Sequence, residues 1–572
     1  MRFGGPTPLV LVACAVVCLA APAASLAATP PNRADPCAQA GRDSCGTTGV
    51  GFYKTYRYGV RWFGDYRRVI PGEKHTFCLD LRFWYAARAY RYRSAPVTQL
   101  RNKDGAAVSA RKQAQMAYAL WEYGRSEQPR RQAAVMLYVH RLMGDGRAGE
   151  VSPAALGPAV VSLYGRIART ARRYHGPYRV EARLSAALTV GRPAAATIRV
   201  LSAEGNALPD VGLTVSADGA ATRSRQVRTD ASGSVAIALT PTSVGVRLRV
   251  TTEPLASSRP RIFVPTTGAA AGNGQRLAAP SSQSSSATVS GRARPAVVTS
   301  VSSRVVRAGS SIFDRVRVEG LRGIPGQIDV ELFGPFAARR DISCTHRPYW
   351  RRRLAVAGGR PVRSPLVDVV KAGFYTYRVH LEGTPTIPDS TTECALASAT
   401  SLAAPLIVAG RGDVAGNVRV AGAGGGTPVS VRVPSVGISA AVVPVGIDVA
   451  HGVLGLPSNI ERAGWWRDGM APGEGSGAIL IAGHVDSAKA GAGVFFRLHS
   501  ARVGDLVRVA TAARRAYVYR VASVRNYRKS ALPTSVFATG GPSRLVLVTC
   551  GGRFDPASGH YPDNVVLVAV PV

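Results

Sequence analysis

Leu545-Val546-Leu547-Val548-Thr549-Cys550-Gly551-Gly552 and, upstream, Ile479-Leu480-Ile481-Ala482-Gly483-His484-Val485-Asp486 decide the reading of this chain. Each is a run of apolar, largely β-branched residues that ends abruptly in one reactive polar side chain beside glycine. That pattern predicts a strand carrying its last residue to the open rim of a sheet. A Cys and a His set out in this way can act as a nucleophile and its proton-transfer partner. Cysteine suits the first role because its thiol ionises easily and the thiolate is strongly nucleophilic. His484 taken alone reads first as a core or rim histidine bonded to backbone; its surroundings in the sequence reverse that in favour of chemistry.

Those surroundings are Leu456-Pro457-Ser458, Arg462-Ala463-Gly464-Trp465-Trp466, Ala482-Gly483-His484-Val485-Asp486-Ser487, Val494-Phe495-Phe496-Arg497-Leu498, Val503-Gly504-Asp505 with Val507, Thr549-Cys550-Gly551-Gly552, and Tyr561 followed by Asp563-Asn564-Val565-Val566. In this order they resemble the sortases, cysteine transpeptidases of Gram-positive cell envelopes, and most of all the class E/F enzymes. The resemblance covers roughly residues 429–572. It implies a closed eight-stranded β-barrel in which Cys550 attacks the carbonyl of a sorting-signal Thr, forming a thioacyl enzyme. His484 would protonate the leaving amine and later deprotonate the incoming one, with Thr549 contacting substrate beside the nucleophile.

One position departs from the pattern. Where the family places an Arg just before Asp-Asn-Val-Val, this chain has Pro562. The oxyanion is then left to Arg553, the nearest arginine in sequence, or to backbone N–H groups near Cys550 together with the Asn564 amide. Arg553 reads equally as a solvated loop residue. Asp486 either orients the imidazole or caps the next turn. Trp466 is a substrate-groove candidate, with Trp465 open between groove and core, and Phe495 and Phe496 are expected in the core.

A chain of 572 residues exceeds a single hydrophobic core and predicts several domains. Met1-Arg2, an apolar run from Leu9 to Ala20 and the small residues Ala21 to Ala28 read as a signal peptide over 1–28. Pro22 and the small-residue end favour cleavage; a retained membrane anchor is the alternative, because the apolar stretch extends to about 20 residues. The expected location is therefore secreted or at the extracytoplasmic cell envelope. The formal net charge of +38 comes mostly from scattered arginines, without a basic tract or aromatic-interleaved motif. This argues against nucleic acid and for an anionic envelope polymer, unless Arg simply replaces Lys throughout. No metal-ligand spacing, Walker loop or dinucleotide fingerprint is present, so neither metal nor cofactor is expected.

Of eight cysteines, Cys14 and Cys18 lie in the leader. Exported cysteines usually pair. Cys37 and Cys45 are close enough in sequence to close a small loop, and Cys344 and Cys394 share one β-rich module. Cys78 and Cys550 remain, and catalysis accounts for Cys550.

The sequence predicts a multidomain, mainly β chain. Residues 34–176 form an α+β module with strand-like stretches at Phe52–Tyr58, Gly59–Tyr66 and His75–Leu81, followed by helices near Ser109–Gly124, Pro129–Met143 and Pro158–Tyr174. Its helical half is similar to the thioester and TQxA-type adhesin domains of Gram-positive surface proteins, in which a strand Cys meets a helix Gln. That resemblance implies a Cys78–Gln132 thioester; a buried free thiol, or a disulfide to Cys37 or Cys45, is the alternative. Residues 178–265 alternate like an immunoglobulin-like β-sandwich. Residues 266–294, rich in Ala, Ser, Gly and Gln, read as a flexible linker. A second β-sandwich spans 295–408, a Gly-rich linker 409–428, and the sortase-like domain 429–572. Arg411-Gly412-Asp413 is a triplet expected by chance in a chain with 61 Gly and abundant Arg.

The functional expectation is an exported sortase acting on LPxTG-like surface proteins, with peptidoglycan or another envelope amine as acceptor. The alternative is a surface adhesin or structural protein whose barrel is weakly active or only hydrolyses its intermediate.

Overall fold

The computed structural model describes residues 33–56, 59–96, 99–144, 152–223, 225–408 and 426–572. The expected leader, the Arg411-Gly412-Asp413 triplet and most of the 409–428 stretch lie outside these residues. Among the described residues no helix is long and apolar enough to cross a membrane.

Three helices stand where the 3.6-residue period put them: α1 (Ala110–Tyr123), α2 (Pro129–Met143) and α3 (Pro158–Tyr174). Their ends have local causes. Ser109 accepts the Lys112 N–H at 3.3 Å ahead of α1, Pro129 and Pro158 open α2 and α3, and Gly144, at φ 90°, closes α2. Helix α2 is the buried one, packed between its neighbours and the antiparallel pair Thr48–Tyr56 and Gly59–Tyr66.

The flexible linker expected over 266–294 is corrected by the structure. Strands Arg261–Pro265 and Leu277–Ala279 pair with Tyr92–Ala95 and Phe77–Cys78, completing a four-stranded sheet of the N-terminal module. Ser286–Arg294 then pairs along Gly245–Thr252 as an integral strand of the first sandwich. The small residues that mimic a linker are small because neighbours come close. Ala278, Ala279 and Ala293 are wholly buried, and a Cβ on Gly291 would lie 2.7 Å from Leu184 Cδ1. A buried ion pair between Arg276 and Asp80, at 2.6 Å, fixes the return of the chain. The first sandwich, a five-stranded and a four-stranded sheet, is thus inserted into the N-terminal module instead of following it.

The second sandwich lies C-terminal to that strand, and both expected disulfides, Cys37–Cys45 and Cys344–Cys394, are formed. Next comes a closed barrel of eight strands: β1 (Pro428–Val433), β2 (Ile438–Val445), β3 (Arg462–Trp466), β4 (Ala478–Gly483), β5 (Leu506–Thr511), β6 (Ala516–Arg528), β7 (Arg544–Gly551) and β8 (Asp563–Pro571), in the order β1-β2-β3-β4-β7-β8-β6-β5. Ile479, Ile481, Leu545, Leu547 and Leu567 fill its interior. The alternate residues Leu480, Ala482, Val546, Val548 and Val566 face outward, where Ala372, Phe374, Leu402 and Ile407 of the second sandwich and its tail cover them. Burial on both faces is why β4 and β7 read as unbroken apolar runs.

Asp314, in the core of the second sandwich, has its carboxyl pushed up to about 6 by burial, against hydrogen bonding that includes the Thr299 hydroxyl. A carboxyl raised in the folded state stabilises below its unfolded pKa, and that contribution disappears as pH rises through the folded value. The stability difference between wild type and Asp314→Asn should therefore shift in favour of the variant by up to about 3 kcal/mol between pH 4 and pH 7, measured by denaturant unfolding.

Candidate active site

Strands β4 and β7 run parallel, their last paired residues being Ala482 and Val548. Two residues past that rung come His484, just beyond β4, and Cys550, the next-to-last residue of β7, so the register brings both to the same end of adjacent strands. β8 lies antiparallel on the other side of β7 and sets Asn564 opposite Cys550. Side-chain alternation places Cys550 on the outer face with Val546 and Val548. The Thr549 hydroxyl donates to the Gly483 carbonyl at 2.8 Å, tying the ends of β4 and β7 together.

Both reactive residues are buried. His484 Nε2 lies 2.9 Å from the Pro457 carbonyl; a carbonyl carries no proton, so the imidazole donates, and in its neutral form keeps the lone pair on Nδ1. Asp486 does not hold this ring. Its carboxylate accepts the Tyr561 hydroxyl, a bond joining the segment after β4 to the one before β8. That hydrogen bond, then burial and the nearby negative charge, push the Tyr561 phenol up to about 12.

The sequence-predicted oxyanion groups are differently placed. Arg553 is exposed on the loop after β7. The Asn564 amide donates to the Ile407 carbonyl at 3.0 Å and the Thr549 carbonyl at 3.3 Å, so its hydrogens are already engaged. Ile407 belongs to the tail of the second sandwich, where Leu406 bridges Val453 and exchanges backbone bonds with Gly452 and Leu454. Nothing in the sequence of that tail pointed to the neighbourhood of Cys550.

In the N-terminal module Cys78 Sγ lies 3.1 Å from His140 Nε2. Gln132 stands two turns away on α2, about 12 Å of helix rise from His140, and its amide donates to the Gly124 and Ser126 carbonyls. The structure does not bring Cys78 and Gln132 together. Gln275 is the glutamine that shares a cavity with Cys78, of about 380 Å³, lined also by Tyr66, Asp80, Trp84 and Met136. It leads into the strand whose Leu277 pairs with Cys78, and its buried Nε2 makes no well-formed hydrogen bond, with the Tyr66 hydroxyl beside it. Reading 266–294 as a linker concealed it; the one signal was a polar Gln-Arg pair ahead of Leu277-Ala278-Ala279.

Residues 431–572 match the family model described as the sortase domain. The barrel is a sortase domain. Among solved structures the chain is similar to sortase C-1 from Actinomyces oris (18% identity, covering 25% of this chain and 72% of that one, TM-score 0.20). It is also similar to a lid mutant of sortase A from Corynebacterium diphtheriae (18%, 27% and 74%, TM-score 0.21). A third likeness is to the thioester domain of the Enterococcus faecium TIE86 protein (10%, 43% and 93%, TM-score 0.23). At these identities the likenesses concern fold alone. No curated protein matches the chain in sequence.

In the sortase domain the tryptophans belong to packing. Trp466, expected to line the substrate groove, is wholly buried where barrel and second sandwich meet, stacked on Phe374 at 6.4 Å and edge-on to Phe537 at 5.3 Å. It points outward from β3, and that outer face is covered. Trp465 points inward and donates to the Met470 carbonyl at 3.0 Å. Phe495 is core as expected, whereas Phe496 turns out to solvent because only its neighbour faces the barrel. Trp466→Ala should cost about 3–5 kcal/mol, and limited proteolysis should then separate the sortase domain from the second sandwich.

Proposed function

We propose that this protein is an exported transpeptidase that cleaves an LPxTG-like sorting signal on surface proteins and transfers it to an amine of the cell envelope, such as peptidoglycan. The observation that carries this reading is the placement of His484 and Cys550 at the same end of adjacent strands of a sortase domain. The Cys550 thiolate adds to the Thr carbonyl. The tetrahedral intermediate collapses to a thioester as the C–N bond breaks, and His484 gives the departing amine its proton. An incoming amine, deprotonated by His484, then attacks the thioester and returns Cys550 as a thiolate. The chain would work outside the cytoplasm, secreted or held by its N-terminal segment, and its positive charge suits an anionic envelope polymer.

A second reading, a surface adhesin whose barrel is structural or only hydrolyses, is favoured by the burial of Cys550 beside the tail of the second sandwich. Cleavage of a quenched peptide library, with and without amine acceptors, separates the two. Under the transpeptidase reading Cys550→Ala abolishes turnover and His484→Ala lowers it by about 10²–10⁴-fold, with circular dichroism unchanged. Wild-type chain that releases only hydrolysed product, or none, gives the second reading.

For the N-terminal module we infer an internal thioester between Cys78 and Gln275. The shared cavity, in which the Tyr66 hydroxyl stands beside the buried Gln275 amide, supports it. The Cys78 sulfur bonds to the Gln275 side-chain carbonyl carbon, the C–N bond breaks, and ammonia leaves with the thiol proton. The acyl group so activated would capture an amine on another surface. Intact mass should be lower by one ammonia, a deficit lost in Cys78→Ala and Gln275→Ala but retained in Gln132→Ala. An unmodified mass with a titratable Cys78 thiol excludes the bond.

A further inference from the structure

Acyl transfer at Cys550 puts negative charge on the substrate carbonyl oxygen, and the rate depends on donors already aimed where that charge develops. Among the described residues, three side-chain donors near Cys550 in sequence or register are engaged elsewhere or turned away. Asn564 donates to the Ile407 and Thr549 carbonyls, Tyr561 donates to Asp486, and Arg553 is turned to solvent. Position 562, next on the same face of β8, is proline and has no donor.

Across from Pro562 stands Lys529. β6 and β8 pair antiparallel with Tyr527 opposite Asn564 and Arg528 opposite Asp563, and the ladder continues as the Lys529 N–H donates to the Pro562 carbonyl at 3.1 Å. Tyr527, Asn564 and Cys550 form one row across β6, β8 and β7. Lys529 opens the helical turn Lys529–Ala531 directly after β6 and Pro562 directly precedes β8, so their bond stands one rung past the Arg528–Asp563 pair, toward the end of β7. Strand spacing and rise put Lys529 and Cys550 on the order of 12 Å apart at Cα. A four-carbon lysine stem, the thiol and a bound acyl group together bridge such a gap.

Lys529 is half-buried, but its head group is not exposed. Nζ is buried and makes no hydrogen bond or ion pair with any described residue. A buried cation without a partner is costly, and burial persists where a counter-charge arrives for function. The thioacyl oxyanion is such a charge.

We propose that Lys529 Nζ is the cationic donor to the oxyanion formed on the substrate at Cys550. The assignment rests on the transpeptidase reading above. It makes Lys529 a catalytic residue supplied by the turn after β6, opposite the donor-less position 562.

The test uses the full chain, with peptide cleavage and aminolysis as one readout and the pH profile of Cys550 alkylation by iodoacetamide, followed by peptide mass, as the other. Lys529→Met should lower kcat about 10²–10³-fold with KM little changed, and move Cys550 alkylation to higher pH because a nearby cation favours the thiolate. Lys529→Arg should retain most of the rate, and Pro562→Arg in the Lys529→Met background should recover part of it. Wild-type turnover in Lys529→Met, with Cys550→Ala inactive, overturns the assignment and leaves the transpeptidase reading standing. So does a Lys529→Met chain that loses stability while kcat per folded molecule and the alkylation profile stay unchanged. A wild-type chain without turnover on any peptide removes the transpeptidase reading and the assignment with it.

Discussion

The parallel ladder between β4 and β7 is the constraint on which the reactive end of this molecule depends. Side chains alternate along a strand, so a slip of one residue would turn Cys550 into the barrel and Thr549 out of it. Two features prevent the slip. Ile479, Ile481, Leu545 and Leu547 fit only the interior, and the Thr549 hydroxyl is bonded to the Gly483 carbonyl at the ladder's end. The placement of His484 beside Cys550 therefore follows from packing and backbone bonds deep in the domain, well away from the rim where the chemistry occurs.

The outer face is equally constrained, by a different part of the chain. A barrel this small normally shows solvent a polar exterior, yet here Leu480, Val546, Val548 and Trp466 face outward and need cover. The second sandwich supplies it through Phe374, Leu402 and Ile407, and the Ile407 carbonyl takes the Asn564 amide directly across from Cys550. The walls around the nucleophile are thus assembled from two domains. Their burial also lowers the local dielectric, which strengthens every charge interaction near the thiol.

How much could be read beforehand varied with the range of the interactions involved. Helices α2 and α3 appeared at their observed boundaries because proline caps and apolar spacing are local, and the Cys550 and His484 strands were visible because both faces of each are buried. The roles of Trp466 and Phe496 were not legible, since composition does not say which side of a wall a neighbouring domain will cover. The stretch 266–294 misled for the same reason. Its Ala, Ser and Gly residues are packed against strands far away in sequence, and Arg276 meets Asp80 across 196 residues. The neighbourhood of Gln275 and Cys78 belongs to that same long-range pairing.

The inserted first sandwich has a consequence for the order in which the protein takes shape. Chains emerge from the ribosome N-terminus first, and domains generally fold as units as they appear. Here the strand carrying Cys78 lacks its neighbour until Leu277–Ala279 has been made, and by then the strands up to Gly245–Thr252 are already free to pair. The part of the protein synthesised first is thus completed only after the sandwich within it has begun to form. Until Leu277–Ala279 is made, the Cys78 strand has no neighbour in its sheet, so the N-terminal module reaches its final form only after residues about 200 positions downstream have left the ribosome.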